Sequence, residues 1–191
     1  MKKLIATLIF FISPLLSNSG DLKFYKEDLN FTVEGEHFVV DANYYFSNLG
    51  HNVVTQNLLY QFPYTDMGKV DSFFVYDLVN NSEIPKRIID RFGTFYININ
   101  PLSSGKFRVY YRQRITSDYC KYIFKSTQTW NRPTDSSNFQ LKLKKDIKID
   151  SLTYKIDSSI VMDDYNIYYW EFKDFTPKKD FEFKILKSGT K

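Results

Sequence analysis

Apolar and polar residues alternate along most of this chain with a period of two. Such alternation is typical of β-strands that bury one face in a core. It is clearest at residues 37–47, and turn residues at 48–50 predict that a returning strand follows at residues 52–62. The apolar face of the first strand would carry Phe38, Val40, Ala42, Tyr44 and Phe46.

The same pattern recurs along the rest of the chain. Proline residues fall at strand ends or in connections, where no ladder hydrogen bond is lost. No segment after residue 19 shows a long helical repeat, and short helical turns are expected at most near residues 65–68 and 174–179. Further strands are predicted at residues 70–78, 85–90, 92–100, 106–115, 119–127, 138–143, 152–156, 167–172 and 181–186.

Many short strands separated by turns predict an all-β fold, an antiparallel β-sandwich. An immunoglobulin-like unit needs about 100 residues, so two arrangements stay open for this chain. One is a single enlarged sandwich over residues 20–191. The other is two tightly packed Ig-like sandwiches, with subdomains at residues 20–117 and 118–191 and no flexible linker between them.

The first 19 residues have the layout of a secretory signal peptide. Lys2 and Lys3 precede an apolar run of about 13 residues, and the small residues Ser17 and Ser19 predict cleavage before Gly20. A retained membrane anchor is the weaker alternative, because a spanning helix needs about 20 apolar residues. No cysteine lies near the cleavage site for lipid attachment. We therefore expect an exported protein, periplasmic or extracellular, that is not transmembrane after cleavage.

Composition and charge narrow the expectations further. Hydrophobic residues make up 43% of the chain and aromatic residues 18%, which is enough for a core without cross-links. The core must suffice, because the single cysteine, Cys120, cannot form an internal disulfide. The formal net charge is +4 and falls to +2 without Lys2 and Lys3. Nucleic acid is therefore not expected as a partner, since it requires a strongly basic face.

Short motifs in both halves resemble known exported β-sandwiches. The segments 44–48 (YYFSN), 62–64 (FPY) and the Val-rich 70–76 follow one another in an order that resembles the start of the VIT-type domain of inter-alpha-trypsin inhibitor heavy chains. They resemble exported bacterial families of unknown function more closely. The segments 110–112 (YYR) and 130–133 (WNRP) are also similar to those families. The resemblance implies a β-sandwich and an exported role, and it carries over no catalytic residue.

Candidate catalytic and metal-binding residues are sparse. A Ser or Cys nucleophile needs a histidine base within reach, and neither His37 nor His51 lies near Cys120 in the sequence. No Gly-x-Ser-x-Gly motif is present, and the three His and Cys residues form no zinc-ligand pair. Asp163 and Asp164 could bind calcium through oxygen, although a solvated acidic turn is the simpler interpretation. The sequence therefore predicts no cofactor and no metal.

Two features could support binding. Four basic side chains share one face of the strand at residues 106–115, and guanidinium groups suit carboxylate or phosphate partners. The alternative is a solvated face that discourages edge pairing. Trp130, in a connection beside Arg132, could stack on a sugar or anchor a partner, or it could plug the join between two sheets. The predicted binding surface comprises Lys106, Arg108, Arg112, Arg114, Trp130 and Arg132.

These features of the sequence leave three functions open. The first is an exported, non-catalytic binding or assembly protein of the cell envelope or secretome, with a protein or glycan partner. The second is a carbohydrate-binding module, which would need a row of exposed aromatic side chains. The third is an exported hydrolase, which would need paired carboxylates or a histidine-centred site in a pocket. The first is the expectation, so the protein is not predicted to be an enzyme.

Overall fold

The structure, a computed structural model, describes residues 20–64, 66–124, 130 and 132–187. It confirms the predicted all-β sandwich class, and the described residues form no helix long and apolar enough to cross a membrane. The predicted signal peptide, residues 1–19, lies outside the described residues. The strands are β1 (Leu22–Glu34), β2 (His37–Asn48), β3 (Val54–Gln61), β4 (Val70–Asp77), β5 (Ser82–Glu83), β6 (Lys86–Ile89), β7 (Phe92–Ile99), β8 (Ser104–Arg114), β9 (Tyr119–Tyr122), β10 (Thr134–Lys144), β11 (Ile147–Leu152), β12 (Ser158–Met162), β13 (Tyr165–Phe175) and β14 (Phe181–Lys187).

One layer of the sandwich is an eight-stranded sheet in the order β12-β13-β10-β1-β2-β8-β4-β5. β2 pairs with β1 in the antiparallel sense, whereas β10 pairs with β1 in the parallel sense. This parallel pair is the exception in a sandwich whose other described strand pairs are antiparallel. Parallel neighbours need a long crossover connection. Here the chain between β1 and β10 provides it, and this segment builds strands of both layers.

The predicted division at residues 117 and 118 separates the two small sheets from each other but does not divide the large sheet. β1, β2, β8, β4 and β5 precede it, whereas β10, β12 and β13 follow it, and all of them belong to the large sheet. The seven consecutive residue pairs between β1 and β10, from Lys26 with Ser136 to Thr32 with Lys142, join the two parts of the chain.

The second layer consists of two three-stranded sheets, in the orders β11-β14-β9 and β3-β7-β6. Phe181 of β14 stacks on Phe31 of β1 with 4.8 Å between ring centroids, and Phe183 meets Phe38 of β2 edge-on at 5.7 Å. Such aromatic pairs contribute about 0.5–1.5 kcal/mol each beyond the burial of their area. Aromatic packing therefore holds the layers together without a disulfide.

The alternation predicted for residues 37–47 is confirmed. Phe38, Val40, Ala42, Tyr44 and Phe46 are all buried and face the second layer. β8 shows the same pattern, since its apolar residues alternate with exposed or half-buried ones.

The predicted hairpin between residues 37–47 and 52–62 is wrong. β2 pairs with β1 and β8, whereas β3 leaves the large sheet and pairs with β7 in the second layer. The buried Asn48 stabilises this change of layer. Its side-chain nitrogen donates to the carbonyl oxygens of Asn52 at 2.7 Å and of Ile99 and Asn100 at 3.0 Å. These contacts tie the end of β2 to one end of the β3–β7 pair, where β3 begins and β7 ends.

β1, at the centre of the large sheet, was not predicted. A bulge between Phe24 and Lys26 shifts the alternation by one residue. The next inward position is then Glu27, a charged residue in a place where an apolar one is expected. Leu29 and Phe31 continue the buried face, so the alternation is regular on each side of the bulge but is out of phase across it.

Some smaller predictions also need correction. β11 ends at Leu152, so the strand expected at residues 152–156 lies mostly earlier in the chain. The strand expected at residues 119–127 is described only as far as residue 124, and β9 ends at Tyr122. No helical segment is assigned at residues 66–68 or 174–179, and residue 65 lies outside the described part of the chain.

Candidate functional site

A cavity of about 390 Å³ lies between the two small sheets of the second layer. β3 lines one side of it, and Tyr122 of β9 lines it from the other small sheet. Phe24 of β1 and Phe46 of β2 form its floor on the large sheet. No charged side chain is among the described residues that line it. The size and the apolar lining are typical of pockets for small ligands.

Trp130 is part of this cavity rather than a free surface aromatic. Its ring lies 5.4 Å from the ring of Phe46 and 5.9 Å from the ring of Phe24, measured between centroids, and it is half-buried against the core. This packing favours the interpretation in which Trp130 fills a join between layers. One side of the indole still borders the cavity, so a bound ligand would contact it.

Three tyrosine hydroxyls meet at the cavity and join its walls to its floor. The Oη atom of Tyr44 on β2 lies 3.0 Å from that of Tyr60 on β3 and 2.6 Å from that of Tyr122 on β9. The third side, between Tyr60 and Tyr122, measures 3.1 Å. If Tyr44 donates to Tyr60 and Tyr60 to Tyr122, then Tyr122 can donate to Tyr44. The three hydroxyls then form a closed ring of hydrogen bonds, the tyrosine ring, which uses all three hydroxyl protons. Only acceptor lone pairs are left for a ligand.

Burial keeps these tyrosines neutral. It is the largest cause that raises the pKa of Tyr44, Tyr60 and Tyr122 well above the ordinary value. Each pair of neighbouring phenols adds to the effect, because one phenolate would repel another. The hydroxyl ring therefore offers polar contacts that stay uncharged at alkaline pH as well as at neutral pH.

Glu27 is a buried carboxyl group next to the tyrosine ring. It is the cross-strand partner of Tyr44 and is only 1% exposed. Ser137 Oγ donates to its Oε1 at 2.9 Å, whereas Oε2 has no hydrogen-bond partner. Burial raises the pKa of Glu27 to about 7, so this side chain changes charge near neutral pH. Its negative charge in turn raises the pKa of Tyr44 and Tyr122.

The four basic residues of the predicted binding surface do share one face of β8, but nearby carboxylates neutralise the three arginines. Lys106, Arg108, Arg112 and Arg114 lie on the outer face of β8. Each arginine contacts a carboxylate, and Lys106 Nζ lies 5.2 Å from the ring centre of Tyr45. Exposed pairs of this kind contribute little to stability, yet they reduce the positive field. The pairs are Arg108 with Asp41 at 2.6 Å, Arg112 with Asp71 at 3.0 Å and Arg114 with Glu36 at 3.3 Å.

The structure does not bring the predicted surface together as one site. Trp130 packs against the inner face of the large sheet, on Phe24 and Phe46, whereas the basic residues of β8 occupy the outer face. Arg132 is exposed in the connection that follows Trp130. The aromatic and the basic candidates are therefore two separate features.

The remaining candidates for chemistry are dispersed. His37 Nε2 lies 3.1 Å from Asp71 Oδ2, on the outer face beside Arg112. His51 is exposed and Cys120 is buried. Within the described ranges, no three His, Cys, Asp or Glu side chains are grouped so that they could hold a metal ion.

Sequence reasoning missed the tyrosine ring and Glu27 as site residues. A signal was present, because Tyr44 and Glu27 occupy inward positions where their polar atoms need partners. Alternation alone could not reveal which partners, since Tyr44, Tyr60 and Tyr122 lie on three strands from three sheets.

No protein-family model matches this chain, and no curated protein matches it. Solved structures do resemble it. A "putative nutrient binding protein" (lpg2210) from Legionella pneumophila has a TM-score of 0.67 at 15% identity, over 86% of this chain and 67% of that one. An M1 zinc metallopeptidase from Deinococcus radiodurans has a TM-score of 0.52 at 10% identity, over 86% of this chain and 42% of that one.

These likenesses show the fold alone. A mutant two-domain M1 zinc metallopeptidase bound to L-arginine gives a similar result, with a TM-score of 0.52 at 9% identity. This chain spans 42% of the length of that metallopeptidase. At such identities a shared fold does not carry over a shared activity. The resemblance to the VIT-type domain stays a prediction.

Proposed function

We propose that this protein is an exported, non-catalytic binding protein whose site is the aromatic cavity between the two small sheets. The observation that carries the proposal is the cavity itself, which is about 390 Å³ in volume and borders Trp130, Phe46 and the tyrosine ring. Apolar cavities with a few converging polar groups are the usual form of small-ligand sites. The fold likeness to the Legionella pneumophila protein supports a binding role without assigning any residue.

The lining defines the class of ligand. Aromatic walls favour a flat ring, which can stack on Trp130 or pack edge-on against Phe46. A charged ligand would lose its hydration without gaining an opposite charge, because the described lining carries none. The tyrosine ring keeps only acceptor capacity, so the ligand should carry an N–H or O–H donor. We therefore expect an uncharged ligand that carries a ring and at least one donor.

Three compounds with the same ring test this class. Benzamide is uncharged and carries a donor, benzoate is an anion, and benzylamine is a cation. A ligand that binds only the folded protein raises its melting temperature, and a concentration of ten times Kd adds about 1.4 kcal/mol. For a chain of this size that corresponds to a rise of about 3–6 °C. We expect benzamide to produce it at millimolar concentration, and benzoate and benzylamine to produce much less.

A matched pair of variants locates the site. Leu58→Trp places a large ring in the cavity, where Leu58 is half-buried, and should abolish the benzamide shift. Val161→Trp makes the equivalent change at an exposed position of β12 and should retain the shift. The proposal fails if benzamide leaves the wild-type melting temperature unchanged, or if Leu58→Trp responds as the wild type does. A shift with glucose or N-acetylglucosamine alone would favour the carbohydrate-binding alternative.

A further inference from the structure

β3 borders the cavity with its edge rather than with one face. Consecutive residues from Gln56 to Gln61 all line the cavity. Successive side chains of a strand point to opposite faces, so a strand that lay flat over the cavity would contribute only every second residue. The element that all of these residues share is the backbone edge of β3, with its N–H and C=O groups.

This edge is open. β3 pairs with β7 along one side, and no strand in the described part of the chain pairs with the other side. The side chain of Gln56 donates to the carbonyl oxygen of Asn57 at 3.0 Å, which occupies one backbone acceptor of β3. An unpaired strand edge is a template for another extended chain.

β3 also lacks the usual protection of an edge. Natural edge strands carry charged side chains, prolines or bulges that discourage pairing. β3 has no charged residue and no proline, and its register with β7 is continuous. β6, at the opposite edge of the same small sheet, begins with Lys86 and Arg87. The unprotected edge is thus the one that faces the aromatic cavity.

We infer that the cavity takes an extended, uncharged peptide segment that adds a strand alongside β3. Its backbone would pair with the open edge, while side chains at alternate positions would point down to Phe24, Phe46 and Trp130, which favour aromatic or large aliphatic groups. This inference rests on the proposed function, because it names the ligand class of the same cavity. It goes further, because a small ring compound would contact only the aromatic floor, whereas a peptide would also form backbone hydrogen bonds with the edge of β3.

Backbone methylation separates these two modes of binding. Alternate residues of an added strand point their N–H groups to the same side, every ~6.6 Å. The probes are capped pentapeptides with Thr at positions one, three and five and with Phe, Tyr, Trp or Leu at positions two and four. Each sequence is made unmodified, N-methylated only at the Thr positions, and N-methylated only at the other two positions. Affinity for the purified protein is measured by calorimetry.

We expect at least one unmodified peptide to bind and to compete with benzamide. One of its methylated forms should lose at least about tenfold in affinity, because it loses backbone hydrogen bonds and clashes with β3, while the other stays within about threefold. The Leu58→Trp variant should bind none of them, whereas Val161→Trp should bind as the wild type does.

The outcomes distinguish the inference from the proposed function. If benzamide binds and no peptide does, or if both methylated forms bind as the unmodified peptide does, strand addition is overturned and the ring-binding cavity stands. If neither benzamide nor any peptide binds, both fail. The wild type could also sediment as a dimer that becomes monomeric after Leu59→Lys on β3. That result would overturn the peptide inference, because the partner of the β3 edge would be a second copy of this chain.

Discussion

The Oη atoms of Tyr44 and Tyr122 lie 2.6 Å apart and join the large sheet to the small sheet that contains β9. Both side chains are buried. A polar contact at this depth fixes how the layers meet, because either hydroxyl would be costly without its partner. The same contact closes the tyrosine ring that borders the cavity.

Replacing Tyr122 with Phe should therefore destabilise the protein. The tyrosine ring would lose one of its three hydroxyls, and the hydroxyl of Tyr44 or Tyr60 would lose a hydrogen-bond partner. Such a loss lowers the free energy of unfolding by about 1–3 kcal/mol. Urea denaturation measures this change. Tyr96→Phe is the matched control, because Tyr96 is 60% exposed and its hydroxyl can bond to water. Equal stability of the two variants would show that the ring contributes nothing.

Glu27→Gln should change how stability depends on pH. Because burial raises the pKa of Glu27 from 4.5 to about 7, the folded protein keeps a proton that the unfolded chain releases between these values. The contribution of Glu27 is thus most favourable below about pH 4.5, and stability is lost as pH rises through about 7. Glutamine stays neutral, so the variant should gain up to about 3 kcal/mol over the wild type at pH 8 and nothing at pH 4.5.

Denaturation curves of the wild type and Glu27→Gln from pH 4 to pH 8 measure this difference. Glu34→Gln is the control, since Glu34 is exposed at the end of the same strand, and the control should parallel the wild type. A gain for Glu27→Gln that is constant with pH would contradict a proton held on this carboxyl group.

Gly93 allows β7 to approach the large sheet closely. A Cβ atom at this position would lie 2.6 Å from Phe73 and 3.2 Å from Phe62, both measured to ring carbon atoms. Gly93→Ala should therefore cost about 1–3 kcal/mol through overpacking, measured as a lower denaturation midpoint. Gly20→Ala meets nothing within 4 Å and should have little effect. An unchanged midpoint for Gly93→Ala would mean that the rings move aside freely.

The basic residues of β8 should bind anionic polymers only when their partners are removed. Asp41 and Asp71 neutralise Arg108 and Arg112. The double variant Asp41→Asn, Asp71→Asn should leave these guanidinium groups unmatched and elute from a heparin column at higher salt than the wild type. Strong retention of the wild type itself would show that the basic residues of β8 bind anions although their carboxylate partners are present.

The sequence predicted the fold class better than the site. Alternation in β2 and β8 predicted their buried faces correctly, because period two depends only on local geometry. β1 was not predicted, because the bulge after Phe24 and the buried Glu27 interrupt its alternation of apolar and polar residues. The chain enters the second layer after Asn48 instead of forming a hairpin, and no local pattern reveals such a change of layer. The cavity depends on that change, so it could not be predicted.

The most direct test of the cavity as the binding site is a nitrogen–proton NMR titration of the purified protein with benzamide. The largest shifts should occur at the backbone amides of residues 56–61 and at the indole N–H of Trp130, which border the cavity. Saturable shifts confined to residues 106–114 on the outer face of β8, or no shifts up to the solubility of benzamide, would contradict the cavity as the binding site.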